Sequence, residues 1–305
     1  MSNMVSEADS QRMRLAEDVP IAPALQIEGI PPAKPRPVTP FIYVYRFPWW
    51  ILFLVVVGIY IVLSIAGDPE YSEYFRRLSA GVNITLQVSF GAYAGALVIG
   101  LFTGIVRSYP PGPGQGLIGG TINFIRLILY HIVTLYVELL RGMPIATLLV
   151  FGAFAFMPAL RQAGVDLPFR GTSIETAIIF LALAYGAFLS EVFRAGIQSI
   201  PKGQLEAARS LGMKGYQTIK YIVIPQTFKV VIPPLGNDFI AMIKDSSLVM
   251  LLALNDVSQL AKKISGSNFD YIDVYLVVAF IYLSMTLTGS LFVKILEQRL
   301  KTKER

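Results

Sequence analysis

The chain has 305 residues, 54% of them hydrophobic and only 15% charged, with a formal net charge of +6, one histidine and no cysteine. Soluble domains carry about a quarter charged residues, so this composition excludes an ordinary soluble enzyme. It also excludes disulfides and thiolate metal sites, and the lone His131 leaves no histidine cluster, so no metal and no catalytic centre are expected.

Residues 1–46 are polar and proline-rich, with Pro31, Pro32, Pro35, Pro37 and Pro40 close together. They read as a flexible cytoplasmic tail, because such a segment buries too little apolar surface to fold. It is not a signal peptide, since the first apolar run starts only at Phe47. That run, 47–66, is a first membrane helix with Trp49 and Trp50 at one end, where indoles favour the interface. A second span covers 81–107. Gly114–Gly119 spell GxGxxG, but no strand precedes them and a loop between spans explains the glycines. The apolar stretch 123–157 is too long for one crossing. It divides into a lead-in helix along the interface, about 121–135, and a span, about 136–157, with Arg141, Gly142 and Pro144 near its start. Further spans follow at 173–190 and 272–293. Glu138 with Arg141, and Glu191 with Arg194, stand three residues apart and are expected to pair on their own helices.

Charge sets the topology. Arg12, Arg14, Lys34, Arg36 and Arg46 precede the first span, and Lys294, Arg299, Lys301, Lys303 and Arg305 end the chain. Both termini therefore belong in the cytoplasm. Five spans cannot achieve that, so a sixth is placed at about 235–255, although Lys244 and Asp245 interrupt it. The basic residues beside the spans serve this topology, and no nucleic-acid partner is expected.

The passage EAARSLGMKGYQTIKYIVIP, Glu206–Pro225, is polar in an otherwise apolar chain. Pro201 suits a first helical turn. Lys202, Glu206, Arg209 and Ser210 then share one side, with Leu205, Ala207, Ala208 and Leu211 on the other. Gly212 stops that helix, and a second piece runs from about Tyr216 to Pro225. By pattern alone this is an ordinary interfacial elbow.

Glu206, Ala207, Ala208, Gly212, Ile222 and Pro225 resemble the EAA loop of ABC-importer permeases, with Ile224 in place of a leucine. NITLQVSFGAYAGALVIG (83–100), YVELLRGMP (136–144), AYGAFLSEVFRAGIQSIPKGQLEAA (184–208) and PPLGNDFIAMIKDSSLV (233–249) resemble the polar amino-acid branch, the histidine, glutamine, arginine and opine systems. Met143 and Ser246 stand where that branch has threonine. The resemblance covers about 81–300, with the EAA loop at 194–225, and leaves 1–80 outside. It implies an all-α, polytopic membrane bundle of six spans: a five-helix type I importer core plus an extra N-terminal helix. It implies a bacterial cytoplasmic (inner) membrane location. It implies that the elbow docks on one of two separate ATP-binding subunits, which hold the ATP and magnesium. The chain itself has no GxxxxGK[ST] loop and needs no cofactor. The further partners implied are a second permease subunit, identical or homologous, and an extracytoplasmic amino-acid-binding protein.

Asn237, Ala241, Lys244 and Leu248 follow spacings of four, three and four, so they share one helical stripe, with Asp245 one position on. Two roles stand open for Lys244 and Asp245: anchoring helix packing, or lining the substrate pathway with Asn237 as a polar neighbour. A self-contained secondary transporter or channel using Lys244 and Asp245 is the alternative function. It predicts inverted repeats, which are not visible, and leaves the EAA pattern unexplained.

Overall fold

The computed structural model describes residues 47, 49–114 and 116–302, and every regular element among them is helical. The expected tail, 1–46, lies outside the described residues. The first helix, α1, is Trp49–Gly67. Its side chains are apolar all round and mostly exposed, as suits a helix whose solvent is lipid. A short amphipathic helix that the pattern did not suggest follows, α2, Pro69–Ser79, capped by the Asp68 carboxylate accepting from Glu70 N–H at 2.8 Å.

The centre of the bundle is a pair of long helices, α3 (Val82–Ser108) and α6 (Ile174–Gln198). They pack through small residues. A β-carbon on Gly95 would stand 2.9 Å from that of Ala182, one on Gly100 2.6 Å from that of Leu189, and one on Gly104 2.7 Å from that of Phe193. Only hydrogens at these positions let the backbones approach so closely. The contacts rise together along both helices, so α3 and α6 run parallel. The chain between them must therefore return once across the bundle.

Two elements share that return. α4, Gly116–Gly142, is long and apolar enough to cross a membrane. Its earlier part lies beside one end of α3. Arg126, Leu129 and Tyr130 lie against Ile105–Pro111 at the end of α3, and Glu138 reaches Arg107 at the same end. Further along, Tyr136 donates to Leu183 C=O near the middle of α6 at 2.6 Å, so the later part of α4 reaches into the bundle. Pro144 then breaks the helix, and α5, Ile145–Gln162, makes the return. Its Gly152 packs under the ring of Phe180, and Ala153 lies against Gly171 just before α6. The expected lead-in, 121–135, and the start of the expected span, 136, fall in one continuous helix, which Pro144 separates from α5.

α6 leads into the elbow: α7 (Lys202–Ser210), a short α8 (Gly215–Thr218), a widened π turn (Ile219–Val223) and α9 (Ile224–Asp245). Two expectations change here. The second arm does not end at Pro225, and the helix that holds the expected sixth span starts at Ile224 rather than 235 and is followed by a 3-10 turn, Ser246–Leu252. The π turn just upstream opens the ladder where a proline would otherwise clash with the carbonyl four residues back. α9 is antiparallel to α6, since Gly196 faces Val231 at one end while Tyr185 reaches Asp245 further along.

α10 (Val257–Asn268) and α11 (Tyr271–Thr302) close the fold. At the end away from the elbow, Tyr74, Leu78, Val257, Ala261, Val274 and Val277 bury together. Tyr71 and Tyr74 donate to Asp273 and Asp270, both at 2.7 Å. Asp256 caps α10 by accepting from Ser258 and Gln259 N–H, and its burial raises the carboxyl above the usual carboxylate range. α11 returns antiparallel to α9, with Val293 against Gly236, so its C-terminal end lies at the elbow end.

Candidate functional site: the elbow and the polar seam above it

The elbow's turn is fixed by local chemistry. Gly212 adopts φ +72°, the left-handed conformation that a β-carbon disfavours. Met213 N–H donates to Ala208 C=O at 3.1 Å and Gly212 N–H to Arg209 C=O at 2.9 Å. These two bonds form a Schellman motif with Gly212 just beyond the cap. The second arm starts with Lys214 N–H donating to the Gln217 side-chain oxygen at 2.8 Å. Gln226 Nε2 donates to Gln204 Oε1 at 2.5 Å and ties the two arms together.

Of the six elbow residues singled out, the structure brings all onto these two arms. Ala208 is buried, Ile222 half-buried, and Glu206, Ala207, Gly212 and Pro225 exposed. The helical wheel placed Leu205, Ala207, Ala208 and Leu211 together. The fold buries Ala208, half-buries Leu205 and leaves Ala207 and Leu211 out, Leu211 at 81% exposure. Tyr216 and Tyr221 are exposed beside them. The result is a surface of small and apolar residues at the tip of a rigid turn.

Behind the elbow lies an ion cluster. Arg107 on α3 is 8% exposed and donates to Glu191 on α6 at 2.6 Å and to Glu138 on α4 at 2.9 Å. Glu191 also accepts from Arg194 at 2.7 Å and from Arg141 at 3.3 Å. The expected Glu191–Arg194 pair forms. The expected Glu138–Arg141 pair does not: the deeper guanidinium of Arg107 draws Glu138 across, and Arg141 turns to Glu191. A guanidinium offers five donors in a fixed fork, so one Arg107 can hold two carboxylates from two helices.

The seam on α9 is less local. Asn237 and Lys244 are exposed and Ala241 half-buried, so that part of the predicted stripe shares one open face. Leu248 falls in the 3-10 turn, where the stripe ends. Asp245 points elsewhere and accepts from the Tyr185 hydroxyl at 2.7 Å. Tyr185 sits near the middle of α6, so Asp245 and its neighbour Lys244 lie midway through the bundle. Sequence reading missed Tyr185 and Asp238, which is half-buried beside Asn237. It also missed Tyr93, which donates to Leu235 C=O at 2.5 Å and stacks edge-on against Phe239 at 5.1 Å. Asp238 was findable, as an ionisable side chain in an apolar run is a functional candidate by default. The tyrosines carried no such signal. No group of three or more His, Asp or Glu side chains among the described residues is arranged to hold a metal.

Comparison with known proteins places this geometry. Residues 113–302 match the family of binding-protein-dependent transport system inner membrane components. The chain is 32% identical over 224 residues to the glutamine transport system permease protein GlnP of Escherichia coli (strain K12), covering 73% of this chain and 93% of that one. It is 37% identical over 229 residues to the probable glutamine ABC transporter permease protein GlnM of Bacillus subtilis (strain 168), covering 75% and 95%. A crystal structure of an amino acid ABC transporter with histidines superposes with a TM-score of 0.62 at 31% identity, over 75% of this chain and 97% of that one. The inward-facing methionine transporter MetNI shares the fold alone, with a TM-score of 0.58 at 20% identity.

Proposed function

The chain belongs to the family of binding-protein-dependent transport system inner membrane components, and on that premise we propose how it serves as the permease subunit of an amino-acid ABC importer. The self-contained transporter or channel is set aside, because the similar proteins are permease subunits of amino-acid ABC systems. The observation that carries the mechanism is the elbow: a glycine-locked turn whose exposed residues are Ala207, Leu211 and Tyr216 rather than charges alone. Glu206, Ala207, Gly212 and Pro225 form the exposed coupling surface for an ATP-binding subunit, with Ile222 half-buried beside them and Ala208 packed beneath. Two such subunits hold the ATP and magnesium, and their closing pushes on two permease subunits, identical or homologous. An extracytoplasmic binding protein delivers a polar amino acid to the far end. The elbow and both termini face the cytoplasm of the bacterial inner membrane. α1 is an accessory helix ahead of a core spanning about 81–300.

Because α9 runs unbroken from the elbow's second arm to Asp245, a push at the elbow moves the seam directly. Lys244 at mid-depth costs roughly 2.5–3.5 kcal/mol on insertion scales, and its exposed position supports a water-filled pathway. There Lys244 attracts the substrate carboxylate, Asn237 is a polar neighbour, and Asp245 is held off by Tyr185. The test is Gly212→Asp. It is expected to insert normally, yet to bind the ATPase subunit and take up amino acid about tenfold less well, the equivalent of roughly 1.4 kcal/mol. Normal uptake by a stably expressed variant would overturn the coupling role.

A further inference from the structure

We propose that the corner where α4 crosses the elbow end of α3 binds the phosphate of an anionic phospholipid, with Arg126 as its cationic contact. A cavity of about 200 Å³ opens there. Tyr109 and Pro111 line it from beyond α3, and Arg126, Leu129 and Tyr130 from one face of α4. Its polar side chains are a guanidinium and two phenols, all able to donate, and no carboxylate lines it. Arg126 is exposed, and its hydrogen bond to the Asn123 side-chain oxygen is long, 3.4 Å. Most of its five N–H donors therefore remain for a ligand, and a guanidinium matches two phosphate oxygens at once.

Three features select a lipid over a free phosphate ester. The cavity floor is apolar, with Ile105, Val106 and Leu129 facing it, so it suits a molecule with chains attached. Around it Ile122, Ile125 and Ile132 on α4 are exposed, a surface for those chains to cover. The Arg126–Tyr130 part of α4 lies beside the end of α3, the level at which a basic residue meets the headgroups.

The test uses the whole transporter purified in detergent, titrated with phosphatidylglycerol or with phosphatidylcholine of the same chains, and bound lipid read by native mass spectrometry. Phosphatidylglycerol should bind more tightly than phosphatidylcholine. Arg126→Gln should weaken it about fivefold, matching the roughly 1 kcal/mol a basic residue contributes near an anionic surface. Arg126→Lys should recover most of that. Being exposed, position 126 tolerates either change without unfolding. Equal binding of phosphatidylglycerol by Arg126→Gln would overturn the proposal, as would phosphatidylcholine bound as tightly as phosphatidylglycerol. Glycerol phosphate competing as well as the intact lipid would also overturn it, by assigning the site to a free phosphate ester.

Discussion

The α3–α6 seam and the elbow both depend on small residues, for opposite reasons. In the seam, Gly95, Gly100 and Gly104 are small so that another part of the same chain can fill the space, and no room is left. At the elbow a β-carbon on Gly212 would meet nothing within 4 Å, and Ala207 is exposed. The elbow's smallness serves its turn and its surface, not an internal contact. The lesson is that the same residue types mark a finished interface in one place and an unfinished one in the other. The difference is read from what stands opposite.

The largest expected effect lies where the two regions meet. Glu191 joins the seam to the elbow's base, and Glu191→Ala leaves buried Arg107 with only Glu138, itself 61% exposed. Removing one partner of a buried pair costs about 3–5 kcal/mol. With Glu191 21% exposed, the low end is expected, read as a lower melting temperature and yield of the purified complex. A wild-type melting temperature would mean that water already screens the cluster, making this end of the seam as open as the elbow.

Next comes the seam itself. Gly100→Val drives a side chain into Leu189, and overpacking of this kind costs about 1–3 kcal/mol. Leu189→Ala in the same chain should restore little, because the clash is with the Leu189 β-carbon and with the backbone of Leu189 and Gly186, which alanine keeps. If Gly100→Val assembles and melts as the parent does, the close approach is not what holds α3 to α6.

The smallest effect on stability is expected at Lys244. It is exposed, and among the described residues it has no hydrogen bond or ion pair, so Lys244→Met should assemble and hydrolyse ATP as the parent does. Uptake should fall. Unchanged uptake would remove Lys244 from the pathway, and poor assembly would return it to the packing role.

How much of this was legible depended on distance along the chain. The elbow was readable because its determinants are local: Pro201 opens α7, and Gly212 closes it with bonds reaching no more than five residues back. That 123–157 holds more than one helix was readable too, since it exceeds one crossing. The helix break falls at Pro144 rather than at 135, because apolarity runs through both positions. Asn237 and Lys244 share one face, as their spacing placed them, because both lie in α9, where helical spacing holds; that the face is open was not legible.

By itself the sequence determined that the chain is a membrane-spanning helical bundle with a polar elbow, since hydropathy, proline and glycine act within a few residues. The tertiary structure alone decided what Arg107 and Asp245 do. Arg107 meets Glu191 84 residues away and Asp245 meets Tyr185 60 residues away. Spacing rules reach one or two helical turns, so they paired Glu138 with Arg141. Once the helices pack, a buried guanidinium deprived of water takes whichever carboxylates the fold brings within reach.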